Sequence, residues 1–529
     1  MKKIVAFILL SSFAFSQTPH IDWIKYFGGT NPNNVIPGYL GSYDAQSIQK
    51  TSDGGYVIAG VTSVASAESV DYHGSLDGFV VKLNSNYETE WSRCYGTAGT
   101  EKIWEIKQTL DGGYVFTGTQ YSAATHGDYW IGRLSSTGDL LWQKTYGGSL
   151  DDVAESIEVL NTGEFLVAGT TSSSDNYIAA TFPFNNHGNS DYWVIKLDSN
   201  GNFIFGRPLG GASVDICHTM VSNPDGSYVV AGETTSHDGQ VNCPNLYSPC
   251  ESSIWIAKVA NNNFIYNTWA SCFSPIMPSA NFYNIPYRII KTNDAGYLIV
   301  GQRQDHFDSH IGADFWAIKI DSDGNEMWQN CYGGTKDDVA SSVRQTSDGG
   351  YIIVGYTYSS NDQVIINYST NNLMPNAWMI KINANGALQW QKSVSGRYNN
   401  FFYDVVEANP NEYIAVGTGP WMGNEGDYTE CNGRQFMAVK ISTTALNVNE
   451  NDLSNSSLEL FPNPTSSLIH YKTNAIIKSV SYTDISGRCV LESHSDTITE
   501  TDISSLSSGI YLVKISNGVT STSRKIIKE

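Results

Sequence analysis

Acidic side chains recur at one fixed distance before a repeated aromatic residue. The aromatic opens a five-residue pattern, an aromatic followed by three apolar or small residues and a glycine, which begins at Tyr56, Tyr114, Phe165, Tyr228, Tyr297, Tyr351 and Tyr413. Thirteen residues before it stand Glu101, Asp152, Asp215, Asn284, Asp338 and Asn400, with Asp44 one place out of register. If these side chains ring the mouth of a central channel, they could hold Ca²⁺ or position a sugar hydroxyl. The alternative is that each acid caps its own loop by accepting backbone N–H groups.

Histidines also recur in the loops between repeated segments, at His73, His126, His187 and His310. Each is followed within a few residues by an aspartate, at Asp77, Asp128, Asp191 or Asp314. Four His–Asp sets could build a metal site only if their loops fold inward toward one axis. Otherwise each set stabilises its own loop, which is the interpretation we favour. We therefore predict no metal and no cofactor, with Ca²⁺ as the one ion that the carboxylates could take.

Other catalytic signatures are missing from the sequence. It contains no Ser-His-Asp signature, nucleophile elbow, phosphate-binding loop or zinc-protease helix. The segment 321–326 imitates the start of a calcium loop, but equivalent residues at 198–201 and 383–386 indicate a hairpin turn. Paired carboxylates for glycoside cleavage remain open, because their separation depends on the fold.

The repeated elements predict how these residues are positioned. In one unit, 105–110 leads into the turn 111–113, and 114–118 leads away, as in a β-hairpin. A longer loop is followed by a second hairpin built from 128–134 and 140–146. A unit is therefore a four-stranded antiparallel blade, and seven units predict a closed ring. The loops of variable length all project from one face, where a ligand would bind.

The fourth-strand aromatic indicates how the ring closes. It appears in six units, at Trp91, Trp142, Phe205, Trp269, Trp328 and Trp390. The seventh copy lies near the N-terminus, as Trp23. We expect the N-terminal segment to supply the last strand of the last blade, which leaves no open sheet edge. The fold class is thus all-β, a seven-bladed propeller closed by an N-terminal strand and followed by a small β-sandwich.

A basic residue recurs in the third strand of every unit, three positions after an aromatic residue or, in the seventh unit, after Met437. These basic residues are Lys82, Arg133, Lys196, Lys258, Lys319, Lys381 and Lys440. Because all seven units carry it, local pairing is a better explanation than ligand binding. Among the eight cysteines, Cys243 and Cys250 lie close in sequence, which predicts a loop disulfide. Cys94, Cys272 and Cys331 occupy equivalent places in different units, so we do not expect them to bond one another.

The two ends of the chain differ from the repeats. Residues 1–16 have two lysines, an apolar run and small residues before a cut at Gln17, as in a secretory signal peptide. We assign 17–446 to the propeller, 447–457 to a polar linker and 458–529 to a separate domain, with no transmembrane segment. The formal net charge is −21, which disfavours nucleic acid as a partner.

The C-terminal module carries short motifs in a fixed order. Its marked residues are Pro462, Asn463, Pro464, Asp484, Gly487, Arg488, Gly509, Tyr511 and Lys525. They resemble the C-terminal sorting domain of type IX secretion cargo in Bacteroidota, the Por secretion tail. The resemblance implies the type IX machinery as a partner, passage across the outer membrane, and removal of the domain, often with attachment of the rest to the cell surface. A generic adhesive sandwich is the alternative.

The repeats themselves, from Trp23 to Ser442, resemble secreted propeller repeats of the same bacteria, a resemblance that implies no defined activity. We expect a secreted or cell-surface scaffold that presents its loop-rich face to a glycan or a protein. The first rival is an enzyme, a lyase or hydrolase, that acts on extracellular polysaccharide at the channel mouth. The second is a purely structural surface protein.

Overall fold

The computed structural model of the chain is all-β apart from one short helix, α1 (Asn176–Ala179). It describes residues 17–27, 44–63, 71–121, 126–179, 186–241, 243, 252–260, 267–273, 284–304, 312–365, 374–396, 399–419, 435–445, 458–473, 476–484, 488–495, 497–516 and 521–529. The predicted signal peptide and linker lie outside these residues. The chain forms two compact units, a larger one spanning Ile21–Ser442 and a smaller one that includes Thr443–Glu529.

The propeller is built from 28 strands. In chain order they are β1 (Gln17–Phe27), β2 (Asp44–Lys50), β3 (Tyr56–Thr62), β4 (Asp77–Leu83), β5 (Thr89–Tyr95), β6 (Thr100–Gln108), β7 (Tyr114–Tyr121), β8 (Gly127–Leu134), β9 (Leu140–Tyr146), β10 (Asp152–Val159), β11 (Phe165–Thr171), β12 (Asp191–Leu197), β13 (Phe203–Leu209), β14 (Asp215–Ser222), β15 (Tyr228–Thr234), β16 (Ser253–Val259), β17 (Asn267–Phe273), β18 (Ile285–Lys291), β19 (Tyr297–Gln304), β20 (Ala313–Ile320), β21 (Glu326–Tyr332), β22 (Asp338–Gln345), β23 (Tyr351–Thr357), β24 (Asn376–Ile382), β25 (Leu388–Val394), β26 (Phe401–Asn409), β27 (Glu412–Gly419) and β28 (Gln435–Ala445).

These strands form seven four-stranded sheets. Six are antiparallel meanders of consecutive strands, from β2-β3-β4-β5 to β22-β23-β24-β25, and the seventh has the order β1-β28-β27-β26. The innermost strands β2, β6, β10, β14, β18, β22 and β26 contact one another in ring order, and β26 contacts β2. The predicted seven-bladed ring, closed by the N-terminal strand, is confirmed.

The closure has its own packing. In four other blades the fourth-strand tryptophan packs on a turn glycine of the next blade, as Trp91 does on Gly138. At the closure Trp23 packs instead on Tyr87, with ring centroids 5.2 Å apart. Tyr87 occupies the glycine position of that turn with φ 63°, a left-handed conformation that costs a non-glycine residue of order 1 kcal/mol. The aromatic contact offsets this cost only when β1 is in place.

The recurring basic residues pair locally, as expected. The ammonium of Lys82 lies 2.9 Å from Asp53, and that of Lys381 lies 2.9 Å from Asp348. In both pairs the acid belongs to the turn between the first two strands of the same blade. The lysine is almost fully buried, so the carboxylate compensates a charge that is costly to bury alone.

The predicted disulfide between Cys243 and Cys250 is wrong in its partner. Cys243 bonds Cys272 instead, with the two Cα atoms 5.4 Å apart, and Cys250 lies outside the described residues. Cys272 lies on β17, the outermost strand of the same blade whose second-to-third loop carries Cys243. The loop therefore meets the blade edge, a proximity that sequence spacing does not reveal.

The C-terminal unit has two sheets around one core. Its strands are β29 (Glu459–Phe461), β30 (Leu468–Lys472), β31 (Ser479–Thr483), β32 (Cys489–His494), β33 (Glu500–Asp502), β34 (Gly509–Ser516) and β35 (Ser521–Lys528). They form the sheets β29-β30-β33 and β32-β31-β34-β35, and both sheets contribute to the core. This is the expected small β domain.

The motif residues of this domain hold its turns. The Asn463 side-chain amide donates to Lys525 O at 3.0 Å, and its oxygen accepts the N–H of Ile527 at 2.8 Å. Asp484 accepts the N–H of Arg488 at 3.1 Å, and Gly487 lies outside the described residues. Nothing helical within the described ranges is long and apolar enough to cross a membrane.

Candidate functional site

The acids predicted to ring the channel mouth are fully buried, each in its own loop. Asp152 accepts the N–H of Gly148 at 2.7 Å and the hydroxyl of Ser173 at 2.9 Å. Asp215 and Asp338 accept the equivalent bonds from Gly211 and Gly334, both at 2.7 Å. Glu101 caps its loop through Thr97 N at 3.1 Å. The structure does not bring these acids together, and ligand binding by them stays a prediction.

Each of these acids meets a second carboxylate at a blade boundary. A methyl group on Gly147 would lie 2.1 Å from Asp128 Oδ1 and 2.7 Å from Asp152 Oδ2, so both carboxylates approach the same glycine. The arrangement recurs at Gly96 with Asp77 and Glu101, at Gly210 with Asp191 and Asp215, and at Gly333 with Asp314 and Asp338. Burial, and then the neighbouring Asp152, raise the pKa of Asp128 to about 6. Burial raises the pKa of Asp338 to about 7 despite its hydrogen bonds.

The loop histidines lie apart from one another. His73 Nδ1 lies 3.0 Å from Asp77 Oδ2, and His187 Nδ1 lies 2.7 Å from Asp191 Oδ2. His126 faces Asp151 at 3.4 Å, and His310 lies outside the described residues. His73 and His187 thus pair within their own loops as predicted, whereas the predicted pairing of His126 with Asp128 is wrong, because His126 meets Asp151 of the loop that precedes β10. Within the described ranges, no group of three or more His, Cys, Asp or Glu side chains could hold a metal ion.

A different set of residues reaches the channel, and the repeat glycine explains why. In every blade the innermost strand has a β-bulge opposite that glycine, as between Ile103 and Glu105 opposite Gly118. A methyl group on Gly118 would lie 1.8 Å from Lys102 O, and a methyl group on any of the other six repeat glycines would lie 1.9 Å from the equivalent carbonyl oxygen. The bulge brings this carbonyl so close that only glycine fits.

The bulge leaves one extra residue in each innermost strand. We call these seven residues the bulge ring: Gln46, Trp104, Glu155, His218, Tyr287, Ser341 and Tyr403. A bulged residue has no partner in the ladder, and its side chain is re-aimed relative to the regular alternation. All seven are half-buried and lie on the strand that borders the channel, toward the face with the variable loops. They line the mouth of the channel.

The residue after each bulge forms a second ring, which we call the waist ring: Ser47, Glu105, Ser156, Thr219, Arg288, Ser342 and Asp404. Five of these side chains accept the next backbone N–H of the following blade. Glu105 accepts from Ile157 at 2.8 Å, Ser156 from Met220 at 3.2 Å and, across the closure, Asp404 from Ile48 at 3.0 Å. The waist ring therefore binds neighbouring blades to each other around the channel.

Arg288 closes the channel at the waist. It extends from the fifth blade to Glu105 of the second blade at 2.8 Å and to Asp404 of the seventh blade at 3.6 Å. Arg344 adds a contact to Asp404 at 3.0 Å. We call Arg288 and its two ion pairs the crossbar. The side chains of Glu105 and Asp404 are only 3% and 2% exposed, so the crossbar is almost inaccessible to solvent. The mouth is consequently a cup with a floor rather than an open tunnel.

A charged cluster lies on one wall of the cup. His218 Nδ1 is 3.0 Å from Glu155 Oε2, and its Nε2 is 3.6 Å from Glu233 Oε1. Burial lowers the pKa of His218, but Glu155 and Glu233 outweigh it and raise that pKa to about 10. The histidine is therefore a fixed cation at neutral pH. Burial, and then Tyr356 and the two glutamates, raise the pKa of Tyr287 above its usual value, so its phenol stays neutral.

Aromatic rings form the rest of the wall. Phe401 and Tyr403 are nearly parallel, with centroids 5.9 Å apart, and Tyr356 meets Phe401 edge-on at 4.8 Å. Trp104 lies on the second blade, where its indole N–H donates to Thr119 Oγ1 at 3.3 Å. The ammonium of Lys102 lies 5.7 Å from the Trp104 ring centre. The cup thus combines flat apolar faces with fixed polar groups.

Sequence comparison identifies the C-terminal module. Residues 459–529 match the family model described as the secretion system C-terminal sorting domain. This segment is a type IX secretion sorting domain. The sorting domain directs the chain to the cell surface or the extracellular space and interacts with the type IX machinery. No curated protein is significantly similar to the chain in sequence.

Several solved structures are similar to the chain at low identity. A protein of unknown function from Dyadobacter fermentans is 9% identical, with TM-score 0.38, covering 80% of this chain and 99% of its own. The Neurospora crassa Pan2 WD40 domain is 9% identical, with TM-score 0.40, covering 82% and 97%. PorZ of Porphyromonas gingivalis, a surface component of the type IX system, is 12% identical, with TM-score 0.29, covering 90% and 69%. None of these matches bears on what this chain binds.

Proposed function

We propose that this protein is an extracellular binding scaffold, delivered by type IX secretion, whose ligand enters the cup at the channel mouth. The ligand is a glycan or a protein segment that reaches the bulge ring from the loop-bearing face. The sorting domain targets the protein for secretion, and the propeller provides the binding surface.

One observation carries this proposal, the contrast between repeated and unrepeated positions. The residue before each bulge is apolar or small in all seven blades, and the recurring basic residue is Lys or Arg in all seven. The bulge ring instead contains six residue types in seven places. These two positions serve the fold, and they keep their residue type in every blade. The repeat is lost at the residues that the fold aims into the cup, which supports selection for one particular ligand.

The rival function, cleavage of polysaccharide at the same mouth, has one observation in its favour, since Glu155 and Glu233 converge there. The electrostatics favour binding. A general base needs a pKa near the working pH, whereas His218 stays protonated and Tyr287 stays neutral. Both glutamates are engaged by the same histidine cation. The cluster is suited to fixed hydrogen bonding rather than to proton transfer.

The test uses the full chain on an array of glycans and an array of extracellular and cell-surface proteins. Ser341→Trp should fill the cup, and Trp104→Ala should remove one wall. Leu110→Ala is the matched control, because Leu110 is 69% exposed on a turn of the opposite face. We expect Ser341→Trp and Trp104→Ala to lose at least tenfold in affinity for the bound probe, and Leu110→Ala to retain it.

Two results contradict the proposal. Probe binding that survives Ser341→Trp unchanged places the ligand outside the cup. Release of shortened or unsaturated sugars from any array glycan, abolished by Glu155→Gln, supports the enzyme instead.

A further inference from the structure

Among the described residues of the bulge and waist rings and their charged neighbours, positive and negative side chains are nearly equal in number, although the protein carries −21 overall. Glu155 and Glu233 both contact the protonated His218, and the ammonium of Lys102 lies over the Trp104 ring. The floor is matched in the same way, because Arg288 and Arg344 face Glu105 and Asp404. Each of these charged groups therefore already has a partner, which is an opposite charge or, for Lys102, an aromatic ring.

This pairing selects against charged ligands. An anionic or cationic group that enters the cup either breaks an existing ion pair or loses water without compensation, and both cost several kcal/mol in a semi-buried site. A neutral ligand avoids this cost. It can still donate hydrogen bonds to the glutamates, whose remaining oxygen lone pairs can accept them.

The aromatic walls select a flat neutral ligand with a polar rim. Trp104 lies half-buried on the innermost strand of the second blade, and Phe401 and Tyr403 lie half-buried on that of the seventh. A pyranose ring offers apolar C–H faces to aromatic rings and directs its hydroxyls outward, toward groups such as Gln46 and Ser341 of the bulge ring.

The floor determines how a polymer can enter. Because the Arg288 crossbar spans the channel from the fifth blade to the second and seventh, a chain cannot thread through it. A polymer would have to present its end to the cup.

We propose that the cup binds the terminal residues of a neutral glycan chain. This inference rests on the proposed function and names its ligand class. Recognition of the chain end follows from the closed floor, and preference for a neutral sugar follows from the paired charges.

The test measures binding of the full chain to hexasaccharides by calorimetry. The neutral probes are cellohexaose, laminarihexaose, mannohexaose and maltohexaose; hexagalacturonate is the anionic probe and the chitosan hexamer the cationic one. We expect at least one neutral probe to bind at least tenfold more tightly than both charged probes, with that binding lost in Ser341→Trp and kept in Leu110→Ala. When concentration is counted in moles of polysaccharide molecules, a long polymer of the same linkage should bind with the same affinity as the hexamer.

Each other outcome has a definite meaning. Tighter binding of a charged probe that Ser341→Trp abolishes overturns the neutral-glycan inference and leaves the proposed function standing. Affinity that rises in proportion to polymer length overturns end recognition. Failure of all neutral probes at about 10 mM, beyond the range of useful affinities, overturns the inference. Binding of any probe that Ser341→Trp leaves unchanged overturns the proposed function itself.

Discussion

Replacing Arg288 by methionine removes the crossbar while keeping most of the side-chain volume. Burial raises the pKa of Glu105, but Arg288 and then Lys107 outweigh it and lower that pKa from 4.5 to about 2. For a carboxylate that is 3% exposed, this difference corresponds to about 3 kcal/mol of stability at neutral pH. Breaking a buried ion pair from one side costs about 3–5 kcal/mol in other proteins. We therefore expect Arg288→Met to lose about 3 kcal/mol of unfolding free energy at pH 7.

The assay is equilibrium denaturation of the full chain, with Lys291→Met as control. Lys291 lies on the same strand and has no ion pair with a described residue, so its loss should stay within about 0.5 kcal/mol. Adding Glu105→Gln to Arg288→Met should restore more than half of the loss, because the uncompensated charge is gone while Ile157 N keeps an acceptor. Glu105 has a lowered pKa, so its contribution is present above pH 4.5 and disappears as the pH falls toward 2. A loss below about 1 kcal/mol, or no recovery in the double variant, refutes the crossbar.

Three further predictions concern the repeat, the boundary acids and the closure. Gly118→Ala should destabilise the chain by more than about 3 kcal/mol, because the new methyl group would clash with the carbonyl oxygen of Lys102. Thermal denaturation measures this loss, and a change below about 1 kcal/mol contradicts the bulge explanation. Because Asp338 has a raised pKa, its burial costs nothing below about pH 4 and most above pH 7, so stability should fall between about pH 4 and pH 7. Asp338→Asn should reduce that fall by about 2 kcal/mol in denaturant titrations, and an unchanged fall argues against the raised pKa. Trp23→Ala should cost about 2 kcal/mol and expose β1 to limited proteolysis, whereas unchanged protease resistance would show that the closure does not depend on this contact.

The fold could be predicted from the sequence because the sequence pattern of one blade occurs seven times. The aromatic-to-glycine pattern fixed the number of blades, and the displaced Trp23 indicated which segment closes the ring. Local rules were sufficient here, since each blade is a meander of hairpins whose turns contain glycine. The disulfide of Cys243 could not be predicted in the same way, because its partner lies on the far edge of the blade rather than nearby in sequence.

The site was harder to predict for a related physical reason. Recurrence at a fixed position directed attention to Asp152 and its equivalents, but a residue that recurs in every blade serves the structure of every blade. The residues in the cup are those that do not recur. The sequence did contain a signal for the bulge-ring residues. A glycine in the second strand of each blade indicates a bulge in the first strand, which lies beside it. Counting ten residues back from each repeat aromatic then gives the bulge ring. The crossbar of Arg288 had no such signal, because pairing between the second, fifth and seventh blades exists only in the closed ring.

Binding of a glycan end in the cup is tested most directly by a crystal structure of the full chain soaked with the hexasaccharide that binds most tightly. We expect density for a terminal sugar between Trp104 and Tyr403, above the Arg288 crossbar, with hydrogen bonds to the His218 cluster. Sugar density confined to the outer surfaces of the blades, with the cup holding only solvent, would contradict it.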